Sequence, residues 1–388
     1  MLSIKHQSHS VLRFITLLFR SMLDTESLDF RASARRCGIA LCFVVLFTGC
    51  KRSTNDRPVG RVLTIEVPLG LPAVPIPANN PPTADSIDLG RRLFYDTALS
   101  RDHSMSCASC HNPRLGFTDG LQVAHGVGGS RGTRNAPTLI NSAYLPLQFW
   151  DGRSASLEDQ AANPIANPLE MNQSHQISLA KLAENPTYPS LFFKAFGSRD
   201  INLNRVEKAL ASFERTILSG NSPFDRYQFG GDKGALTSSQ VRGLQIFFDP
   251  NRGNCGACHT VNRTDALFTD GKFHNTGEGA GDEGEFADVG RFGETKTSAD
   301  MGAFKTPTLR NVANTAPYMH DGSLKTLKDV VDFYAGGGNS NTYLDKQIRV
   351  VQLTGQDRAD LVEFLKSLSG EMPRNVGDPG KAVNRSSQ

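Results

Sequence analysis

Cys107-Ala108-Ser109-Cys110-His111 and Cys255-Gly256-Ala257-Cys258-His259 decide how this chain is read. Both have the form C-x-x-C-H, the attachment signature of a c-type haem. Two thiols three positions apart on one helical turn reach the two vinyl groups of a porphyrin. The next residue then brings its imidazole under the iron as proximal ligand. A zinc site would need four clustered ligands, and a thioredoxin-like pair would not need His in register in both copies.

Working outward, the chain repeats itself. Leu89-Gly90-Arg91-Arg92-Leu93-Phe94-Tyr95-Asp96 precedes the first motif, and Arg242-Gly243-Leu244-Gln245-Ile246-Phe247-Phe248-Asp249 precedes the second. Phe117-Thr118-Asp119-Gly120 is echoed by Phe268-Thr269-Asp270-Gly271. Pro137-Thr138-Leu139-Ile140-Asn141 is echoed by Pro307-Thr308-Leu309-Arg310-Asn311. Trp150-Asp151-Gly152, with Leu157 and Asp159, parallels His320-Asp321-Gly322, with Leu327 and Asp329. Five markers in one order define two cognate units: a helix, a haem motif, a long loop, a further helix. Helical spacing of apolar residues joins Leu89, Leu93 and Phe94. It also joins Val206, Ala209, Leu210, Phe213 and Ile217, and Leu361, Phe364, Leu365 and Leu368. Residues 100–106 and 277–293 read as loops, and no strand series stands out. The expected fold is all-α and loop-rich, with two cytochrome c-like domains, each binding one covalent c-type haem. They span residues 85–230 and 231–372, divided at Gly230-Gly231, with a tail at 373–388.

The 388 residues suit two domains, and 38% hydrophobic with 21% charged residues excludes a polytopic membrane protein and wholesale disorder. The formal charge of +3 resides in residues 1–49, which hold six Lys/Arg and three acids. The neutral body gives no argument for nucleic-acid binding. Within that leader, the apolar run 37–49 follows Arg31, Arg35 and Arg36 and has the layout of a secretory signal. It ends Leu46-Phe47-Thr48-Gly49-Cys50, which resembles a bacterial lipoprotein cleavage site with Cys50 lipidated. Ordinary signal cleavage nearby is the alternative, and Met22 is an alternative start. Haem attachment takes place outside the cytoplasm. The expected location is therefore the periplasm, with outer-membrane anchoring through the lipid. Residues 50–84, with Pro68, Pro72, Pro75, Pro77, Pro81 and Pro82, read as an extended linker. Cys37 and Cys42 leave with the signal, so no Cys remains for a disulfide framework.

Haem iron needs a second axial ligand for electron transfer or an open face for chemistry. His125 lies in the Gly-rich Ala124-His125-Gly126-Val127-Gly128-Gly129 and can serve as a removable ligand or be a surface loop residue. Trp150 is the single Trp and by itself reads as a core residue; Gln160 and Glu170 follow at ten and twenty residues, and spacing alone does not select Glu170.

From residue 85 to 370 the sequence resembles the bacterial di-haem cytochrome c peroxidases and their relative MauG. The resemblance rests on both C-x-x-C-H motifs and on Arg134-Asn135-Ala136-Pro137-Thr138, Phe149-Trp150-Asp151-Gly152-Arg153, Pro168-Leu169-Glu170-Met171 and Gly290-Arg291-Phe292. It continues in Leu309-Arg310-Asn311-Val312 and Thr315-Ala316-Pro317-Tyr318-Met319-His320-Asp321-Gly322. It implies that the first haem, on Cys107, Cys110 and His111, reacts with hydrogen peroxide. Glu170 matches the acid–base carboxylate, Gln160 its polar companion, and Trp150 the residue between the haems. The resemblance also implies a calcium ion held by the Asn135 side chain and the backbone oxygens of Thr315 and Pro317, all hard donors. His125 matches the first haem's removable ligand if small gaps are accepted; otherwise that haem is open. The second haem, on Cys255, Cys258 and His259, has Tyr334 where the peroxidases carry a Met, as MauG does. A phenolate favours more oxidised iron than a thioether does. Met301 and Met319 are the alternative ligands.

The expectation is a di-haem c-type peroxidase. Its electrons would come from a small cytochrome c, a cupredoxin or a protein substrate. The alternative is a di-haem electron-transfer cytochrome without peroxidase activity.

Overall fold

The computed structural model describes residues 56–281 and 283–380. The proposed signal and Cys50 lie outside these residues. Among the described residues there are eleven α-helices. They are α1 (Ala84–Tyr95), α2 (Cys107–Cys110), α3 (Leu157–Ala166), α4 (His175–Glu184), α5 (Tyr188–Phe196), α6 (Leu203–Glu214), α7 (Pro223–Gln228), α8 (Ser238–Phe248), α9 (Phe292–Thr295), α10 (Leu327–Ala335) and α11 (Gly355–Lys366). Among the described residues the one sheet pairs β1 (Phe273–His274) with β2 (Phe304–Lys305), antiparallel, with Phe273 opposite Lys305. The rest is loop and 3-10 turn.

The sequence repeat is a structural repeat. Helix α1 packs on α6, and α8 packs on α11. Each crossing is made close by one glycine. A Cβ on Gly90 would lie 1.8 Å from the Ala209 carbonyl oxygen, and one on Gly243 would lie 2.0 Å from that of Asp360. Beside each crossing sits the same aromatic pair. Phe94 and Phe213 have ring centroids 5.2 Å apart, and Phe247 and Phe364 are 5.1 Å apart, both inclined at 60°. Such pairs add about 0.5–1.5 kcal/mol to what burial itself contributes. The helices start at side-chain caps: Thr83 for α1, Thr237 for α8, Thr326 for α10 and Thr354 for α11, each in a reciprocal capping box.

Two apolar cores result. The first gathers Leu89, Leu93, Phe94, Phe117, Leu210 and Phe213, and the second gathers Ile246, Phe247, Phe268, Leu361 and Phe364. The second also takes Phe224 from α7. The domains meet through paired asparagines, Asn141 and Asn311, both left-handed. Asn141 accepts from the Ser219 backbone N–H at 3.0 Å, and the Ser219 hydroxyl donates to Asn311 at 2.8 Å.

The Pro-rich stretch from Asp56 is extended and bound along the body rather than standing free. Asp56 pairs with Arg205 at 2.8 Å, the Val59 N–H donates to Ala195, and the Gly70 carbonyl accepts from Ala266 N–H and from Arg310. Arg310 and Asp225 form a fully buried ion pair beside Gly70, both side chains 0% exposed. At the other end of the chain, Val376 joins the first core, and its carbonyl accepts from the Tyr95 hydroxyl at 2.7 Å. Among the described residues no helix is long and apolar enough to cross a membrane.

Candidate active site

Each proximal histidine is set by the same local device. The phenylalanine after the motif, Phe117 or Phe268, adopts a left-handed backbone, with φ of 59° or 51°. Its carbonyl then meets the imidazole: His111 Nδ1 to Phe117 O is 3.1 Å, and His259 Nδ1 to Phe268 O is 2.8 Å. A carbonyl only accepts, so Nδ1 carries the proton and Nε2 keeps its lone pair for a metal. Burial pushes both imidazoles towards the neutral form, which is the ligating form. All four thiols of the motifs are free. Burial pushes Cys110 and Cys255 up to about 12 and also raises Cys107.

A cavity of about 730 Å³ is lined by both motifs. Neutral thiols and metal-ready imidazoles facing one mostly apolar cavity fit covalent haem at both sites. No cluster of His, Cys, Asp or Glu suited to another metal occurs among the described residues.

The same cavity brings together Trp150, Gln160, Glu170, Tyr334, Asn135, Thr315 and Pro317. Gln160 projects from α3, and Glu170 lies in the turn after it. Asn167, which ends α3, donates through Nδ2 to Glu170 Oε1 at 2.6 Å. Burial raises the Glu170 carboxyl, while the Asn167 bond and Arg153 oppose the rise. The Val127 N–H donates to the Glu170 carbonyl at 2.8 Å, and a Cβ on Gly126 would strike the Leu169 carbonyl at 2.1 Å. The Gly-rich loop is therefore seated against Glu170. His125 in that loop is exposed and outside the cavity lining, and its carbonyl lies 3.9 Å from Cys110 Sγ.

Trp150 stands where the domains meet. Its Nε1 donates to the Asn135 carbonyl at 2.9 Å, and its own carbonyl accepts from the Lys305 N–H at 2.8 Å. Arg134 ties its neighbour Asp151 (2.5 Å) to Asp288 of the second domain (2.6 Å). Arg153 lies 3.5 Å above the Phe149 ring. Tyr334, on α10, lines the cavity near the second motif. Burial foremost, then Cys258, raises its phenol. Met319 also lines the cavity; Met301 does not.

Asn135 Nδ2 donates to the Leu121 carbonyl at 2.8 Å, which leaves Oδ1 for another partner. Residues that sequence reasoning missed are Asn167, Arg153, Lys305 and Glu214. Glu214 lines the cavity, is buried, and keeps one oxygen without a partner. Burial pushes it up to about 8.

The family profile for di-haem cytochrome c peroxidase matches residues 84–233, and that for cytochrome c matches residues 240–369. A methylamine utilization protein MauG from Methylorubrum extorquens is 39% identical over 86% of this chain and 92% of its own length. The chain belongs to the di-haem cytochrome c peroxidase family. Cytochrome-c peroxidase IdrP1 of Pseudomonas sp. (strain SCT) is 37% identical over 80% of this chain and 87% of its own. Among solved structures, a MauG-like protein associated with microbial copper homeostasis superposes with a TM-score of 0.75. It is 33% identical and covers 82% of this chain and all of its own.

Proposed function

We propose that this chain is a di-haem c-type peroxidase that reduces hydrogen peroxide at the haem on Cys107, Cys110 and His111. Electrons reach that haem through the one on Cys255, Cys258 and His259. The observation that carries this reading is Glu170: a half-buried carboxyl held at one oxygen by Asn167, lining the first motif's cavity with Gln160. An electron-transfer cytochrome has no use for such a group. When bound, the first haem supplies the iron at which the O–O bond is broken.

The chain's own residues do the rest. Glu170 accepts the proton of the nearer peroxide oxygen and returns it to the farther one, which leaves as water. Asn167 occupies Oε1 and so presents Oε2 for the proton. Gln160 orients peroxide by hydrogen bonding. Trp150, bonded to segments of both domains, lies on the route for electrons. His111 and His259 would hold the irons, and Tyr334, which lines the cavity near the second motif, would supply a phenolate oxygen to the second one, ionised by the charge of the metal. That ligand aligns the chain with MauG-type proteins. His125, exposed and outside the cavity lining, would leave room for peroxide at the first haem's site.

Calcium fits the oxygen set of Asn135, Thr315 and Pro317 at the domain junction. The reading also places the protein in the periplasm, tethered through Cys50. Its electron donor is a small cytochrome c or cupredoxin, or a protein substrate. Glu170→Gln tests the reading. Peroxide should react with the variant about 10²–10⁴-fold more slowly, with both haems still attached. Undiminished reaction would remove Glu170 from the mechanism.

A further inference from the structure

The repeat makes two positions at the domain junction equivalent, and only one of them is the proposed calcium position. Pro137 and Pro307, Asn141 and Asn311, and Trp150 and His320 are each 170 residues apart. The same register sets Asn135 against Lys305, Leu145 against Thr315, and Leu147 against Pro317. The backbone obeys this register. Asn135 N–H donates to the His320 carbonyl at 2.7 Å, and Lys305 N–H donates to the Trp150 carbonyl at 2.8 Å. Phe149 and Met319, which open the two equivalent turns, both have positive φ, 64° and 71°. The isolated bridges Gln148 to Ser154 and Tyr318 to Leu324 close those turns in the same register.

Their side chains differ in a way that has a chemical meaning. On one side stands Asn135, a neutral amide that lines the same cavity as Pro317, whose carbonyl is invoked for calcium. On the other side stands Lys305, whose Nζ donates to the Leu147 carbonyl at 2.7 Å. Leu147 is the counterpart of Pro317. Lys305 is 7% exposed, as buried as Asn135 at 6%. A buried ammonium is costly unless something requires the charge. Asp151 is the acid whose field favours it, and burial otherwise lowers its affinity for the proton to about 8.

We propose that the Lys305 ammonium is a built-in cation occupying the twin of the calcium position. It fastens the turn 147–150 to the second domain, as a divalent ion held by Asn135 fastens the turn 317–320 to the first. The junction would then carry two positive centres, one metal and one covalent. Beyond the backbone bonds that both turns share, the turn bearing Trp150 would have its own cation, and the turn bearing His320 would need metal to supply one. Lys305 is a positioning residue for Trp150, and it rests on the calcium reading for the other half of the pair.

The test uses the haem-loaded protein, with melting temperature and bound calcium as readouts, in calcium and in chelator. Wild-type protein should bind calcium and melt lower in chelator; if it binds none, the calcium reading fails by itself. Lys305→Met should melt below wild type in both conditions and shift the emission of the single Trp, whatever the calcium result. An unchanged melting temperature and emission would overturn the role of Lys305. Lys305→Asn restores the amide of the other side. In calcium it should bind a second equivalent and regain stability that Lys305→Met does not regain. If the two variants behave alike in calcium, the equivalence of the two positions is overturned. The reciprocal Asn135→Lys should melt at the same temperature with and without chelator. A melting temperature that stays at the chelated wild-type value, and is not raised by the lysine, would contradict the proposal.

Discussion

Removing the Asn167 amide isolates what that group does for Glu170. Asn167 Nδ2 donates to Glu170 Oε1 at 2.6 Å. A hydrogen bond to a charged acceptor contributes about 1.5–3 kcal/mol, and it favours the ionised carboxyl. Asn167→Ala therefore raises the carboxyl's affinity for its proton beyond what burial already does. Peroxide must surrender its first proton to ionised Glu170. Each 1.4 kcal/mol lost cuts the ionised fraction on the acid side about tenfold. Glu170 is only partly enclosed, so water makes up part of the loss. The expected effect is roughly a tenfold slower reaction on the acid side, with the limb of the pH profile moved to higher pH. The alkaline plateau should not change. The assay is stopped-flow mixing of the ferric holoprotein with peroxide across a pH series. Asn167→Asp keeps the oxygen that accepts from the Leu169 N–H but sets a like charge beside Glu170, so it should move the limb further in the same direction. A limb that stays in place, or moves to lower pH, would refute Glu170 as the proton acceptor.

Three further outcomes follow from packing and burial. Gly243→Ala sets a methyl 2.0 Å from the Asp360 carbonyl and should cost at least about 1–3 kcal/mol, read as a lower melting temperature. Arg310→Met leaves Asp225 buried without its cation and should cost about 3–5 kcal/mol in chemical denaturation, most of which the Asp225→Asn/Arg310→Met double variant should recover. Glu214 holds its proton up to about 8 in the folded chain against 4.5 unfolded. Its contribution to stability therefore falls as pH rises through that window, by at most about 5 kcal/mol. Glu214→Gln should flatten the loss of melting temperature between those two pH values, and a slope equal to wild type would contradict it.

The two haem motifs and the repeated markers made the architecture legible because they carry periodic and chemical constraints together. Gly90 and Gly243 appeared only as repeat marks; that each admits a partner helix's carbonyl is visible in space, since Ala209 and Asp360 are remote in sequence. The Pro-rich stretch reads as an extended linker, but composition does not reveal that the Gly70 carbonyl accepts from Arg310. Glu170 and Trp150 came from resemblance, because one Glu or one Trp has no local signature. Asn167 needed the turn after α3, and Lys305 needed the repeat register to be followed past the obvious matches into a position where the two halves differ. His125 looked available because glycines surround it. One of them, Gly126, lets the loop close onto the Leu169 and Glu170 carbonyls.

The central claim is that the cavity performs peroxide chemistry at the first haem and shares the oxidation with the second. Stoichiometric peroxide titration of the diferric holoprotein, followed by its absorption spectrum without prior reduction, tests it most directly. The account predicts an immediate change in the spectra of both haems with one equivalent of peroxide, and recovery on adding an electron donor. Two six-coordinate haems that ignore peroxide would contradict it.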